Sequence, residues 1–388
     1  MSFKVNAADI KAYGEMIGRA KDDMSAGANH VRKEDNEHNK ISGGSQLWKG
    51  ILTQHKSICS RVETALNQYE RVLASSAQEL RKSADYYRRT DEEEARKVDS
   101  TYPGGLSKVP SPSPGANTQG FNDRESARDA LNKVEGHFED RYEAVVGARS
   151  DSLSQNLANG RALGALRDGV GFVLDLTSPS TLLNEGLKLA FDFDVLDEFA
   201  QMIAGDWGKF ADVEATWERI GNLCVAVAKN IESGNETLST SWQGKAAASG
   251  WHYFNGLTQQ LNEFADAFDR LIANYEALAT DIAAFVNSLK LAITLILDKA
   301  IEVALKAAVA GAAASTGVGL VLTGASAASI ALDIVQMLGR YTEVVLGLSA
   351  LFAVLNTIEG SSTSDLEKEL SKITNFPTPG NSYDHRAV

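Results

Sequence analysis

Residues 254–289 read FNGLTQQLNEFADAFDRLIANYEALATDIAAFVNSL, and they decide the fold. Phe254, Leu257, Leu261, Phe264, Phe268, Leu271, Tyr275, Leu278, Ile282, Phe285 and Leu289 recur at spacings of three and four. That spacing lines one face of an α-helix and fits neither a strand, whose period is two, nor a loop. Upstream, Phe210, Val213, Trp217, Ile220, Cys224, Val227 and Ile231 keep the same rhythm. Between the two runs lie Ser233-Gly234-Asn235, which weakens a helix, and Ser241-Trp242-Gln243-Gly244, which reads as a break. Two long stripes on either side of a short break must fold back on each other, so residues 206–290 are expected to form a helical hairpin.

The same pattern stands at the start of the chain. Ile10, Tyr13, Ile17, Ala20, Met24 and Val31 define one stripe. A polar stretch ending in Gly43-Gly44 follows, and then Leu52, His55, Cys59, Val62, Leu66, Tyr69, Leu73, Ser76, Leu80 and Tyr87. Residues 1–100 are therefore expected to be a first hairpin, with Trp48-Lys49-Gly50 at its bend. The fold class expected is all-α: long antiparallel helical hairpins packed as a four-helix-bundle-like core, with extra apolar helices at the C-terminus.

Other segments divide the chain further. Residues 101–121 hold Pro103, Pro110, Pro112 and Pro114, four of the seven prolines, and read as an extended, mobile linker. Residues 122–205 read as a helical insert opening at Asn122-Asp123, with one helix over 123–158 and a turn near Pro179. Residues 291–374 read as apolar, small-residue helices with a turn at Thr316-Gly317-Val318-Gly319. No charged side chain falls in 307–332, long enough for a membrane span, but its glycines, serines and threonines favour close-packed soluble helices. Residues 375–388 are expected to be disordered.

Composition removes several function classes. The formal net charge of −13 repels phosphate backbones, which argues against nucleic-acid binding. Two cysteines, Cys59 and Cys224, make no disulfide framework or zinc pattern; they read as small buried side chains or, alternatively, as a bridge between the hairpins. Met1-Ser2-Phe3-Lys4-Val5-Asn6 lacks an apolar core of signal-peptide length, so general secretory export is not expected. None of the six histidines forms a His-x-x-x-His pair, and His30, Glu34 and His38 read as a solvated helix face. There is no nucleophile elbow, phosphate loop or dinucleotide fingerprint. No catalytic residue, metal ligand or cofactor site is assigned, and the chain is not expected to be an enzyme.

Two short motifs stand out against this background. Trp-x-Gly occurs at Trp48-Lys49-Gly50 and again at Trp242-Gln243-Gly244. Tyr87 and Asp91 form a Tyr-x-x-x-Asp pair, which places phenol and carboxylate one turn apart on a helix face. Together on helical hairpins, these residues resemble the Esx-like WxG family of type VII (ESX) secretion substrates. Residues 1–100, with Glu92-Glu93-Glu94 after Asp91, are similar to the secretion-associated substrates of mycobacterial ESX systems. Residues 206–290 resemble a second WxG hairpin, although Tyr275 is followed at i+4 by Ala279, so this half lacks its own export pair. The resemblance implies a secreted or cell-surface interaction protein, exported folded from the cytoplasm. Its implied partners are the secretion ATPase and a cytoplasmic chaperone or co-secreted Esx-like chain, with homo-oligomers also compatible. Tyr87 and Asp91 would be the export signal; Trp48, Gly50, Trp242 and Gly244 would be the bend motifs. The alternatives are a membrane-active effector inserting residues 291–358 and a cytoplasmic scaffold. If the two hairpins pair within one chain, the end of one meets the bend of the other, and Tyr87 and Asp91 should lie near Trp242.

Overall fold

The computed structural model describes residues 3–38, 46–90, 92–101, 109–112, 120–132, 207–315 and 319–377, with Pro379 and scattered positions between 187 and 199. The chain is all-α. The continuous helices among the described residues are α1 (Ala7–His38), α2 (Gln46–Arg89), α3 (Glu92–Ser100), α4 (Ala127–Ala130), α5 (Trp207–Ser239), α6 (Lys245–Ser315) and α7 (Gly319–Thr374).

The stripes read from the sequence become the core. On α1, Ile10, Tyr13, Ile17, Met24 and Val31 are fully buried, and on α2 Val62, Leu66, Leu73 and Leu80 are as well. Trp217, Ile220, Cys224, Val227 and Ile231 do the same on α5, as do Phe254, Leu257, Leu261 and Phe268 on α6. α1 packs on α2 and α5 on α6, and the two pairs meet through α1 against α5. A β-carbon on Gly234 would stand 2.5 Å from Tyr13 Cε2, and one on Gly27 would collide with Leu223. These glycines let α1 and α5 approach more closely than side chains would permit. That close approach also explains why α5 runs unbroken through Ser233-Gly234-Asn235: packing overrides the weak local helix preference.

α2 and α6 run antiparallel in a fixed register. His55 Nδ1 lies 3.3 Å from the Tyr275 hydroxyl, Tyr69 donates to the Gln260 carbonyl at 3.0 Å, and Ser76 Oγ lies 3.0 Å from the Tyr253 hydroxyl. As the residue number rises along α2, the partner's number falls almost one for one along α6.

Several boundaries differ from expectation. α6 continues past residue 290 to Ser315, because 291–315 holds no proline and one glycine, Gly311, among strong helix formers. Thr316, Gly317 and Val318 lie outside the described residues. α7 folds back on α6 and also reaches α2, where Phe352 Cε1 stands 3.4 Å from the β-carbon position of Gly50. At residues 122–126 the chain is not helical, and the described helix begins at Ala127. Asp123 is taken by Arg19 at 2.9 Å, and the Arg124 and Glu125 amides donate to Asn230 Oδ1 at 2.7 and 2.9 Å. Those contacts hold the start of the expected insert against the bundle. Residues 133–186 lie outside the described residues, with Pro179 and most of the expected helix among them. The C-terminal segment stays packed beyond α7, since the Phe376 ring lies 5.1 Å from Tyr253. Residues 380–388 of the expected tail lie outside the described residues.

Candidate interaction site

The register of α2 on α6 delivers Tyr87, near the end of α2, to the α5–α6 turn. The Tyr87 and Trp242 rings meet edge to face, with centroids 6.3 Å apart at 73°. Trp242 is buried, and its six-membered ring packs at the β-carbon position of Gly250, 3.1 Å from Cζ3. Tyr87 is half-buried and also touches Phe3 at 6.4 Å and Tyr86 at 5.5 Å. Burial pushes the Tyr87 phenol well up, while a hydrogen bond with Trp242 opposes that shift. The phenol therefore stays neutral, and its aromatic body joins the two hairpins.

Two further segments close on the same turn. Lys4 and Gln243 form an antiparallel bridge, Lys4 N donating to Gln243 O at 3.2 Å and Gln243 N to Lys4 O at 2.7 Å. Lys4 Nζ donates to the Thr240 carbonyl at 2.7 Å, satisfying a backbone acceptor left open at the end of α5. On the other side is Gly244, with φ of 139°. Gly244 precedes α6 but has no side chain to cap it. Asp99, near the end of α3, supplies the missing acceptor. Its Oδ1 accepts from Ala246 N at 2.9 Å and its Oδ2 from Lys245 N at 3.1 Å. Lys245 Nζ returns a bond to the Ser100 carbonyl at 2.7 Å.

The expected bend residues divide. Trp242 and Gly244 lie in the turn between α5 and α6 and meet Tyr87. Trp48 and Gly50 lie in the first turns of α2, not in a turn between helices. They stand at the opposite end of α2 from Tyr87, roughly 55–60 Å away at the rise of an α-helix. Asp91 lies outside the described residues. Phe3, Lys4 and Asp99 were not singled out from the sequence. Their contacts are to rings and backbone groups remote in the chain, and only Gly244, a residue suited to a positive φ, hinted at a constrained turn.

Among the described residues no group of three or more His, Cys, Asp or Glu could hold a metal ion. Deeper in the bundle, His55 Nε2 lies 3.3 Å from Cys59 Sγ. Burial pushes the Cys59 thiol far up, the opposite of what a thiolate nucleophile needs. Cys224 is shifted the same way by burial, and both cysteines are free thiols. The bundle end offers a half-buried phenol, a buried indole, and backbone held in a defined shape by three crossing segments. No protein-family model, no curated protein and no solved structure matches the chain.

Proposed function

We propose that this chain is a type VII (ESX-like) secretion substrate: a non-enzymatic, all-helical interaction protein exported folded and recognised at the end of its bundle. The observation that carries the reading is the contact between Tyr87 and Trp242. A tyrosine at the end of one hairpin and a Trp-x-Gly turn in the other come from separate halves of the chain, and they meet in one surface. Each half supplies what the other lacks, so a secretion ATPase reading this surface would read a correctly paired substrate. Because the pairing is internal, a separate Esx-like partner is not needed to complete the composite, although a chaperone for the bundle end remains part of the reading. Gly50 is assigned a packing role at the α2–α7 contact instead.

The test is export into culture medium from a host with a working type VII system and from its ATPase-deleted sibling. Wild-type protein is expected outside the first host only, and Tyr87→Ala and Trp242→Ala are expected to be retained while keeping wild-type helicity. Export of both variants at wild-type level, or export without the ATPase, would refute the assignment.

A second reading has its own observation. Ala327–Thr374 is long and apolar enough to cross a membrane by length and composition, and Leu332, Val335 and Leu346 on α7 are 59%, 62% and 64% exposed. A membrane-active role after export would show as dye leakage from anionic vesicles at micromolar protein. Arg340 and Glu343 lie within that stretch, and a charge at the bilayer centre costs about 2.5–3.5 kcal/mol even on the most permissive scale, so this reading ranks second.

A further inference from the structure

We propose that Asp99 is a latch: by capping α6 from a different helix, it makes the shape of the segment after Tyr87 depend on the folding of the second hairpin. The inference rests on the export reading above and adds how that site is regulated.

The argument starts from what α6 lacks. The first amides of any helix have no partner within the helix and take an acceptor from the residue before it. Here that residue is Gly244, which has no side chain. Two of those amides, Lys245 and Ala246, are served by one carboxylate carried on α3. The negative charge also sits at the positive end of the α6 dipole. Lys245 binds back to the Ser100 carbonyl at the end of α3, so the contact is reciprocal.

Gly244 is matched to this arrangement twice. Its φ of 139° is one that side chains rarely adopt. A β-carbon there would also lie 2.7 Å from Asp99 Oδ1 and 2.9 Å from Oδ2. The glycine of the Trp-x-Gly turn therefore makes room for the carboxylate that closes on it.

α3 has little else to hold it. Ala95 is its one buried residue, and Glu92, Glu93 and Glu94 are exposed. Nine residues with one buried side chain do not form a stable helix in isolation. α3 is joined to α2 through Thr90 and Asp91, so it is anchored at one end by the Tyr87 contact and at the other by Asp99. When the α5–α6 turn is unformed, both anchors are missing and the stretch from Tyr87 to Ser100 has no fixed shape. Asp99 is thus a positioning residue: it touches no partner itself but fixes the chain on either side of Asp91.

The experiment uses full-length wild type, Asp99→Ala, Asp99→Asn, Gly244→Ala and Asn230→Ala. The last removes a comparable set of backbone hydrogen bonds on α5, away from the turn. Hydrogen exchange is followed by mass spectrometry on peptides covering 88–101 and 243–252, and export is measured in parallel. Asp99→Ala and Gly244→Ala are expected to exchange at least tenfold faster in both peptides and to lose most export. Asp99→Asn, which keeps one acceptor oxygen, should be intermediate, and Asn230→Ala should export normally. Unchanged exchange in Asp99→Ala would overturn the latch. Faster exchange with normal export, in a host where Tyr87→Ala is retained, would overturn the positioning role but leave the export reading standing. Wild type that is not exported at all would sink the export reading and the latch's role in it, with exchange still reporting whether α3 is held.

Discussion

Replacing Gly234 by alanine tests the joint between the two hairpins. The new β-carbon would stand 2.5 Å from Tyr13 Cε2, 2.7 Å from Tyr13 Cδ2 and 2.7 Å from Met16 Sδ. Tyr13 cannot easily retreat. It is fully buried, its hydroxyl donates to the Ile231 carbonyl at 3.1 Å, and its ring packs edge-on against Phe254 at 4.9 Å. Two effects compete. Alanine is favoured over glycine inside a helix by about 1 kcal/mol. Against that, overpacking a well-filled core costs about 1–3 kcal/mol, and losing the Tyr13 hydrogen bond adds about 1 kcal/mol. The balance is a destabilisation of about 1–3 kcal/mol. Gly339 and Gly360 on α7 supply the control, because no atom lies within 4 Å of a β-carbon at either. Alanine there should stabilise by about 0.5–1 kcal/mol through propensity alone. Urea titration followed by circular dichroism reads all three: a lower midpoint with unchanged slope for Gly234→Ala, and higher midpoints for the α7 pair. A Gly234→Ala protein as stable as wild type would mean that α1 and α5 do not cross this closely, and the pairing of the two halves within one chain would lose its tightest contact.

Three shorter expectations follow from the same structure. Cys59 and Cys224 are buried free thiols, so an aryl disulfide thiol reagent should find neither in native protein and both in denaturant; thiols that react in denaturant only after a reductant has been added would indicate a bridge. Asp333 on α7 accepts from Lys299 at 3.0 Å and from Lys306 on α6; burial pushes its carboxyl up, but the two lysines outweigh this and hold it below its usual value. A depressed carboxylate adds stability above the unfolded carboxylate range and loses it as pH falls through the folded value, so protection in 327–350, relative to intrinsic exchange at each pH, should hold from pH 7 to about 4 and fall below; Asp333→Asn should loosen α7 by about 1.5–3 kcal/mol already at pH 7 and flatten that acid response. Tyr87→Phe keeps the ring against Trp242 and loses only the hydroxyl, so the melting temperature should hold within the effect of about 1 kcal/mol while export separates ring recognition from hydroxyl recognition.

The helical stripes were legible because spacing fixes a face. Tyr13, Ile17, Val62, Leu66, Ile220, Phe254 and Leu257 are named by periodicity and lie in the core. The expected end of the second hairpin at residue 290 was not legible. Leu291 to Ser315 has the composition of a helix whichever partner it meets, and only α7 folding back reveals one long helix. Asn122-Asp123 looked like a helix start because acidic and amide side chains serve caps; here Asp123 serves Arg19 instead. At the bundle end, the meeting of Tyr87 with Trp242 followed from the geometry of paired hairpins. Asp99 and Lys4 did not, because a side chain that caps a remote helix or bridges a remote turn leaves no local pattern.

What places Tyr87 on Trp242 is a register, and apolar stripes alone set registers poorly. A heptad seam can slide by seven residues and still bury leucine against leucine. The α2–α6 seam contains polar groups that leucines would replace at lower desolvation cost. Ser76 donates to the Val72 carbonyl at 2.8 Å and lies 3.0 Å from the Tyr253 hydroxyl, whose pKa burial pushes up to about 12. Tyr69 is bonded to Gln260 O and His55 to Tyr275. A slid seam would break the cross-helix bonds of these buried groups, at about 1–3 kcal/mol for each group left without a new partner, so the polar positions penalise other registers. Removing both partners of a buried bond is close to neutral for stability, which separates register from stability. The combination Ser76→Ala, Tyr253→Phe, Tyr275→Phe and His55→Leu should keep most of the urea midpoint yet blur the seam. Spin labels on the exposed positions Arg89 and Asn255 would then broaden from one distance to several. A single sharp distance in that variant would show that the aromatic packing of Tyr69 on Phe264 fixes the register without those hydroxyls.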